Sequence, residues 1–373
     1  MIRSFAKCAG ARLAGLGTAP GTFAIIAAIA ALSLPAAQSF AQQQVPPAPA
    51  VTAPQNAPAP TTPASQAVPP APAPAAAPTF PKPDPKNFTA ASPTKETVDA
   101  FLHASWGYDA NRVWQVQGIL KTPVEGISKV VVFVGDKTGK LKPSALSFFT
   151  LPDGKHIIAG DQVLDFGANP FADYRAKAEQ RANGPYRGSD SKTFEMVEFA
   201  DFECPHCKEA QANMDKLAAD FPQAHIVFQF YPLESIHPEA KNAADYGYCV
   251  NKLGGSKAFF QFATAVFDGQ QGLASADGAT LTLNSSVIKA GLDPKKVAAC
   301  ASLPATGADI EDSVKLAQDL NIFETPMLLV NGRAVPPTIP YDTLKQIIAY
   351  QAKLDGVPLE NASAAPTPSA PAK

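Results

Sequence analysis

The chain has 373 residues, with 31 Lys and Arg against 33 Asp and Glu for a formal net charge of −2. That length holds two ordinary domains, and with neither a basic excess nor a basic stripe or stacking motif, no nucleic-acid partner is expected. Proline is heavily used, and 15 of the 37 prolines lie between residues 42 and 86, which takes that stretch out of any helix or sheet ladder.

Residues 1–41 carry Arg3, Lys7 and Arg12 with no acid, then the apolar run "FAIIAAIAALSL" (23–34), then small residues up to Ala41. That order reads as a secretory signal peptide with cleavage after Ala41, because twelve apolar residues are short for a membrane anchor. Cys8 precedes the apolar run and is given no role. Residues 42–88 read as a Pro/Ala-rich disordered linker sampling extended conformations, and 357–373 as a disordered tail.

Between them, residues 89–185 predict a small α+β domain. "SPTKETVDAFLHAS" opens with a capping pattern, Ser92 or Thr94 ahead of Glu96 and Thr97, and gives one helix. "RVWQVQGILKTPV", "ISKVVVFVG", "ALSFFTL" and "KHIIAGDQVLDF" are rich in β-branched and aromatic residues, with Gly, Pro and "PDGK" between them. They predict a mostly antiparallel sheet. "RANGPYRGSDSK" (181–192) marks a boundary.

The second domain, 190–356, reads strand, helix, strand, helical block, hairpin, helix, a three-layer α/β pattern. "TFEMVEFADF" is a buried strand, the helix runs roughly from Pro205 to Ala219, and "HIVFQFYPL" is the next strand. Several helical segments follow between 237 and 320, then "TPMLLVNGRAV" as two strands around Asn331 and Gly332, then the helix "YDTLKQIIAYQAKL".

The chemistry concentrates where the first of these strands meets its helix. Cys204 and Cys207 are two residues apart, separated by Pro205 and His206. A cysteine in the first turn of a helix lies near unpaired N–H groups and the positive end of the macrodipole, which favour thiolate. Pro205 suits the first helical position, where its missing N–H costs nothing, and His206 adds positive potential. Cys204 is therefore expected to be the acidic nucleophile and Cys207, one turn deeper, the resolving thiol. Two other uses of the pair stay open: half of a zinc site, which lacks a second close Cys or His pair, and a strained structural disulfide.

The tetrad 204–207 at the end of "MVEFADFECPHC", the "TP" before "MLLVNG", and the helical block between them resemble the thioredoxin superfamily. Within it they resemble the exported DsbA-like and DsbC-like disulfide oxidoreductases. The resemblance implies a thioredoxin-like domain with a helical insertion. It places Glu198, six residues before Cys204, where the superfamily keeps a buried acid that relays the proton of Cys207; an ordinary solvent-facing strand residue is the other reading. It makes Pro326 a cis-proline facing the disulfide, against a plain trans turn proline, and Thr325 a substrate-binding residue offering its backbone to an extended chain. Cys249 and Cys300 fall where similar proteins carry a helix-to-helix disulfide; buried free thiols or an electron relay are the alternatives. More weakly, residues 123–175 resemble the N-terminal dimerisation domain of DsbC-like isomerases, which implies a homodimer. His237, before Pro238, is expected to cap a helix or lie at the surface.

The expected function is an extracytoplasmic, periplasmic or otherwise secreted, thiol-disulfide oxidoreductase that donates disulfides, with no cofactor and no metal. Its expected partners are unfolded or folding exported proteins with cysteines and a membrane redox partner of unknown identity. A dimeric isomerase or reductase, or a chaperone-like module that binds chains without chemistry, are the alternatives.

Overall fold

The computed structural model describes residues 80–139, 142–160 and 162–359. The expected signal peptide, Cys8, most of the expected linker and the residues beyond Leu359 lie outside the described residues.

Helix α1 (Lys95–Trp106) begins as its sequence predicts: the Thr94 hydroxyl accepts the Thr97 N–H at 3.2 Å, and Glu96 lies in the first turn. Its Val98, Phe101 and Leu102 pack on a sheet of β1 (Arg112–Lys121), β2 (Ser128–Asp136), β3 (Ser144–Thr150), β4 (His156–Ala159) and β5 (Gln162–Asp165). Every neighbouring pair is antiparallel and sequential, so the order is β1-β2-β3-β4-β5. The single stretch "KHIIAGDQVLDF" makes two of these strands.

The linker boundary at 88 is corrected. Phe80 lies 6.3 Å from the Phe133 ring, the Pro81 carbonyl accepts from Gln117, and Phe88 bridges to Ile119, so residues 80–88 belong to the fold. Two aromatic rings, Phe80 and Phe88, give this segment apolar surface to pack. Likewise Val357 and Leu359 pack against the core of the second sheet, so the tail starts later than 357.

Two elements escaped the sequence pattern. Helix α2 (Ala172–Arg181) has no side-chain cap and only Ala178 buried, so it has little amphipathic signal; Lys177 and Arg181 tie it to Asp319 instead. Strand β6 (Tyr186–Gly188) lies inside the expected boundary segment and pairs antiparallel with residues 225–227. Three residues are too few to show a period.

The second sheet has the order β10-β9-β7-β8-β6. β7 (Glu195–Ala200) and β8 (His225–Phe230) run parallel and are joined over one face by α3 (Pro205–Asp220), which must therefore start at the carboxyl end of β7. The helical insertion follows: α4 (Ala240–Asp268), broken at Gly255, then α5 (Ala276–Lys289), α6 (Pro294–Ala301) and α7 (Pro304–Asp319). The chain returns as β9 (Met327–Val330) and β10 (Arg333–Val335), and α8 (Tyr341–Leu354) follows. The β9–β10 turn needs positive φ at both central residues, met by Asn331 (47°) and Gly332 (99°). A Cβ on Gly332 would also lie 2.2 Å from the Phe171 carbonyl oxygen.

Successive residues of β7 point to opposite faces. Met196 joins Met214, Leu217, Leu344 and Ile348 under α3 and α8, whereas Val197 and Phe199 join Leu316 and Leu320 on the α7 side. Both sheets fall within one compact unit. Buried Arg333 links them, donating to the Ala104 and Ser105 carbonyls at the end of α1 and to Gln351 of α8. No described helix is long and apolar enough to cross a membrane.

Candidate active site

The turn between β7 and α3 is wedged in place by Phe202. Its ring stacks on Phe228 at 5.4 Å and meets Phe262 edge-on at 5.7 Å, with Phe267 at 5.3 Å. Full burial of one such ring is worth about 1.5–3 kcal/mol, enough to fix the direction in which the chain leaves the strand. From the insertion, the Gln270 side-chain amide donates to the carbonyls of Phe202 and Cys204, each at 2.9 Å.

Cys204 then occupies the N-cap of α3 and Pro205 its first turn. Cys204 is 5% exposed and Cys207 fully buried, and both are free thiols. The Cys204 pKa is lowered to about 5, chiefly by the hydrogen bond from the Cys207 thiol. Burial opposes this, while Thr325 and the first-turn amides of Cys207 and His206 add to the lowering. Burial first, then the Cys204 sulfur, pushes the Cys207 thiol well above its ordinary value. The two sulfurs thus divide into one that ionises readily and one that does not.

His206 contributes less through its imidazole than its position suggests. The ring is 68% exposed and bonded to Glu209 at 3.0 Å, and its pKa is raised mainly by that bond. Its backbone N–H lowers the Cys204 value, and the attraction between imidazolium and Cys204 is the last of the causes that act on the ring.

Across the site, the Thr325–Pro326 peptide is cis and the Thr325 carbonyl lies 3.5 Å from Cys204 Sγ. Thr325 Oγ1 is buried without a hydrogen-bond partner. Glu198 is 1% exposed on β7. It accepts from Gln211 Nε2 at 2.8 Å, and the same amide donates to the Cys207 carbonyl at 3.1 Å. Burial raises the Glu198 pKa, opposed by Arg187, whose guanidinium approaches to 3.7 Å. Its link to Cys207 therefore runs through Gln211 and the backbone.

Cys249 of α4 and Cys300 of α6 form a disulfide with Cα atoms 5.9 Å apart, remote in role from the free pair. His237 departs from expectation: it lies inside the site, with Nδ1 2.8 Å from Asp201, and Glu239 takes the N-cap position of α4. Asp201, Gln211 and Gln270 were missed as well. Only Asp201 left a signal, an acid three residues before Cys204 in an otherwise apolar strand end. Among the described residues no group of three or more His, Cys, Asp or Glu could hold a metal.

A dithiol at a helix amino end, facing a cis Thr–Pro beside the strand that leads into it, defines a thioredoxin-type site on a thioredoxin fold. Residues 180–349 match the thioredoxin family model. Among curated proteins it is similar to Na(+)/H(+) antiporter NhaA 1 of Mycolicibacterium vanbaalenii, 31% identical over 44% of this chain and 26% of that protein. It is also similar to NhaA 1 of Salinispora arenicola, 28% identical over 39% and 21%. The chain thus spans about a quarter of the length of these relatives. Among solved structures, a thioredoxin-like oxidoreductase from Silicibacter pomeroyi is 24% identical, with 48% of this chain and 98% of that one covered and a TM-score of 0.41. The thiol-disulfide exchange protein alpha-DsbA2 from Wolbachia pipientis is 21% identical over 49% and 95%, with a TM-score of 0.40.

Proposed function

We propose that the protein is an extracytoplasmic thiol-disulfide oxidoreductase that donates disulfides to cysteine-bearing protein chains. The observation that carries this is the division between the two sulfurs, Cys204 lowered to about 5 and Cys207 held protonated by burial. In the oxidised protein a substrate thiolate attacks Cys204 Sγ and forms a mixed disulfide, and Cys207 leaves and is protonated. A second substrate thiolate then attacks the bound substrate sulfur and displaces the Cys204 thiolate, a good leaving group because its pKa is low. Two electrons pass from the substrate dithiol to the Cys204–Cys207 pair, and a membrane redox partner of unknown identity removes them.

Thr325 is the residue that receives the substrate backbone, beside the cis Pro326, and Glu198 serves as the acid behind Cys207. Export is supported by the charge, apolar run and small-residue order of 1–41. Antiport, the activity named for the curated relatives, belongs to proteins of which this chain spans about a quarter and is not carried over.

Equilibrating the full chain with glutathione buffers of varied composition tests direction. An oxidising potential is expected, and a strongly reducing one overturns the donor reading. Replacing Cys204 by Ser should abolish exchange. A second reading, a dimeric isomerase, is favoured by the open edge strand β5 with its half-exposed Val163, which a second copy could extend. A monomer in sedimentation at working concentration removes it.

A further inference from the structure

Asp201 touches both reactive cysteines through its backbone while its side chain faces away from them. Its carbonyl accepts the Cys204 N–H at 3.2 Å, and its own N–H points at Cys207 Sγ at 3.4 Å. The side chain is fully buried. Oδ1 accepts the Glu203 N–H at 2.8 Å, and Oδ2 accepts the Leu233 N–H and bonds His237 Nδ1, both at 2.8 Å. A carboxylate only accepts, so His237 carries its proton on Nδ1. One carboxylate thus ties the turn 201–204 to the loop after β8, and Gln270 holds the same turn from the insertion side. The peptide plane that carries the Asp201 N–H is held on one side by the Ala200 carbonyl, which accepts the Tyr231 N–H at 2.9 Å, and on the other by the carboxylate.

We propose that Asp201 is a positioning residue for the resolving step, its buried carboxylate aiming its own backbone N–H at Cys207 Sγ so that Cys207 can ionise inside the protein. The inference rests on the dithiol-exchange reading above. When Cys204 is bound to a partner sulfur its negative charge is gone, and burial is what still opposes ionisation of Cys207. The Asp201 N–H acts in the opposite direction, favouring the thiolate. The Cys207 sulfur then attacks Cys204 Sγ, the Cys204–Cys207 bond forms, the bond to the partner sulfur breaks, and the proton ends on the leaving sulfur. Truncating the carboxylate leaves Gln270 holding the Cys204 end and Tyr231 holding the Ala200 carbonyl, and frees the Asp201 residue between them to turn its N–H off the sulfur. The attack of Cys204 on a partner is served by the first turn of α3 and is left largely intact.

The test uses the reduced full chain mixed with oxidised glutathione, quenched in acid and weighed by mass spectrometry. Step one is formation of the glutathione adduct on Cys204, and step two is its loss as Cys207 resolves it. For Asp201→Ala, step one is expected within about threefold of the parent, step two at least tenfold slower, and the pH profile of step two moved upward. Asp201→Asn keeps the size but presents an amide to converging N–H donors, so it should show the same pattern at smaller amplitude, and it serves if the alanine variant does not fold. An unchanged step two in folded protein overturns the proposal. So does a fall of both steps by one common factor, which marks a purely structural role. A parent chain that forms no adduct at all fails earlier, at the exchange reading itself.

Discussion

In the β1–β5 sheet each strand pairs with the next one in the chain, whereas in the β6–β10 sheet β7 lies between β8 and β9 and pairs with β9 residues some 130 positions away in sequence. The first arrangement needs only hairpins, and around Val116, Val130, Val132, Phe148 and Ile157 it buries Gln117, Ser128, Thr150 and one acid, Asp136, at the end of β2. The second buries Glu195, Glu198, Asp201 and Gln229 among its apolar residues. Buried acids raise the cost of folding unless they are paired, and they concentrate where charge must be managed. The non-local sheet is the one that can do this, because its crossover brings a helix amino end to the end of a buried strand while a distant strand delivers Thr325 to the same point.

The largest expected effect of a substitution falls on the non-local half. Replacing Cys249 and Cys300 by Ala removes a cross-link spanning 51 residues. That should lower stability by roughly 4 kcal/mol in the chain-entropy model, read by denaturant unfolding of the oxidised chain. The reactivity of Cys204 should stay within a few-fold. If the first sheet unfolds at the same denaturant concentration as the second, the halves fold as one cooperative unit.

Next comes pH. The Cys204 pKa is depressed on folding, so its contribution is complete above the unfolded value and is lost as the pH falls through about 5. At pH 7 it amounts to on the order of 3 kcal/mol, present in the reduced chain only, since the disulfide does not titrate. Cys207, with its raised value, stays protonated across that window and adds nothing there. Unfolding of reduced and oxidised protein compared at pH 7 and pH 5 isolates the effect, and a reduced-minus-oxidised difference that does not change with pH contradicts it.

Arg333→Met tests the link between the halves. It leaves the Ala104 and Ser105 carbonyls without their donor, and the expected loss is about 2 kcal/mol. Two separate unfolding transitions in this variant would show that the guanidinium couples the sheets. The smallest effect belongs to the local half: Thr94→Ala deletes the α1 cap for about 1 kcal/mol, with the glutathione equilibrium unmoved. A shifted equilibrium there would mean that the first sheet acts on the site.

Much of this was legible in the chain. Helix α1 and its cap, the Asn331–Gly332 hairpin, α8 and the reactive turn each carry their signal within a dozen residues, through capping, turn chemistry or the Cys-Pro-His-Cys spacing. Helix α2 and strand β6 do not, because partners far along the chain hold them. The same holds in the site. Cys204, Pro205 and Cys207 declare themselves by spacing, while Gln211, Gln270 and His237 are ordinary polar residues until folding sets them against Glu198, Cys204 and Asp201.

The sequence alone determined which sulfur sits at a helix amino end, since a strand, a proline and a helix pattern are properties of adjacent residues. Only the tertiary structure decided how far that sulfur's proton is loosened and what surrounds its partner. Those depend on burial, on Thr325 and on the Asp201 N–H, groups whose distance along the chain bears no relation to their distance in space.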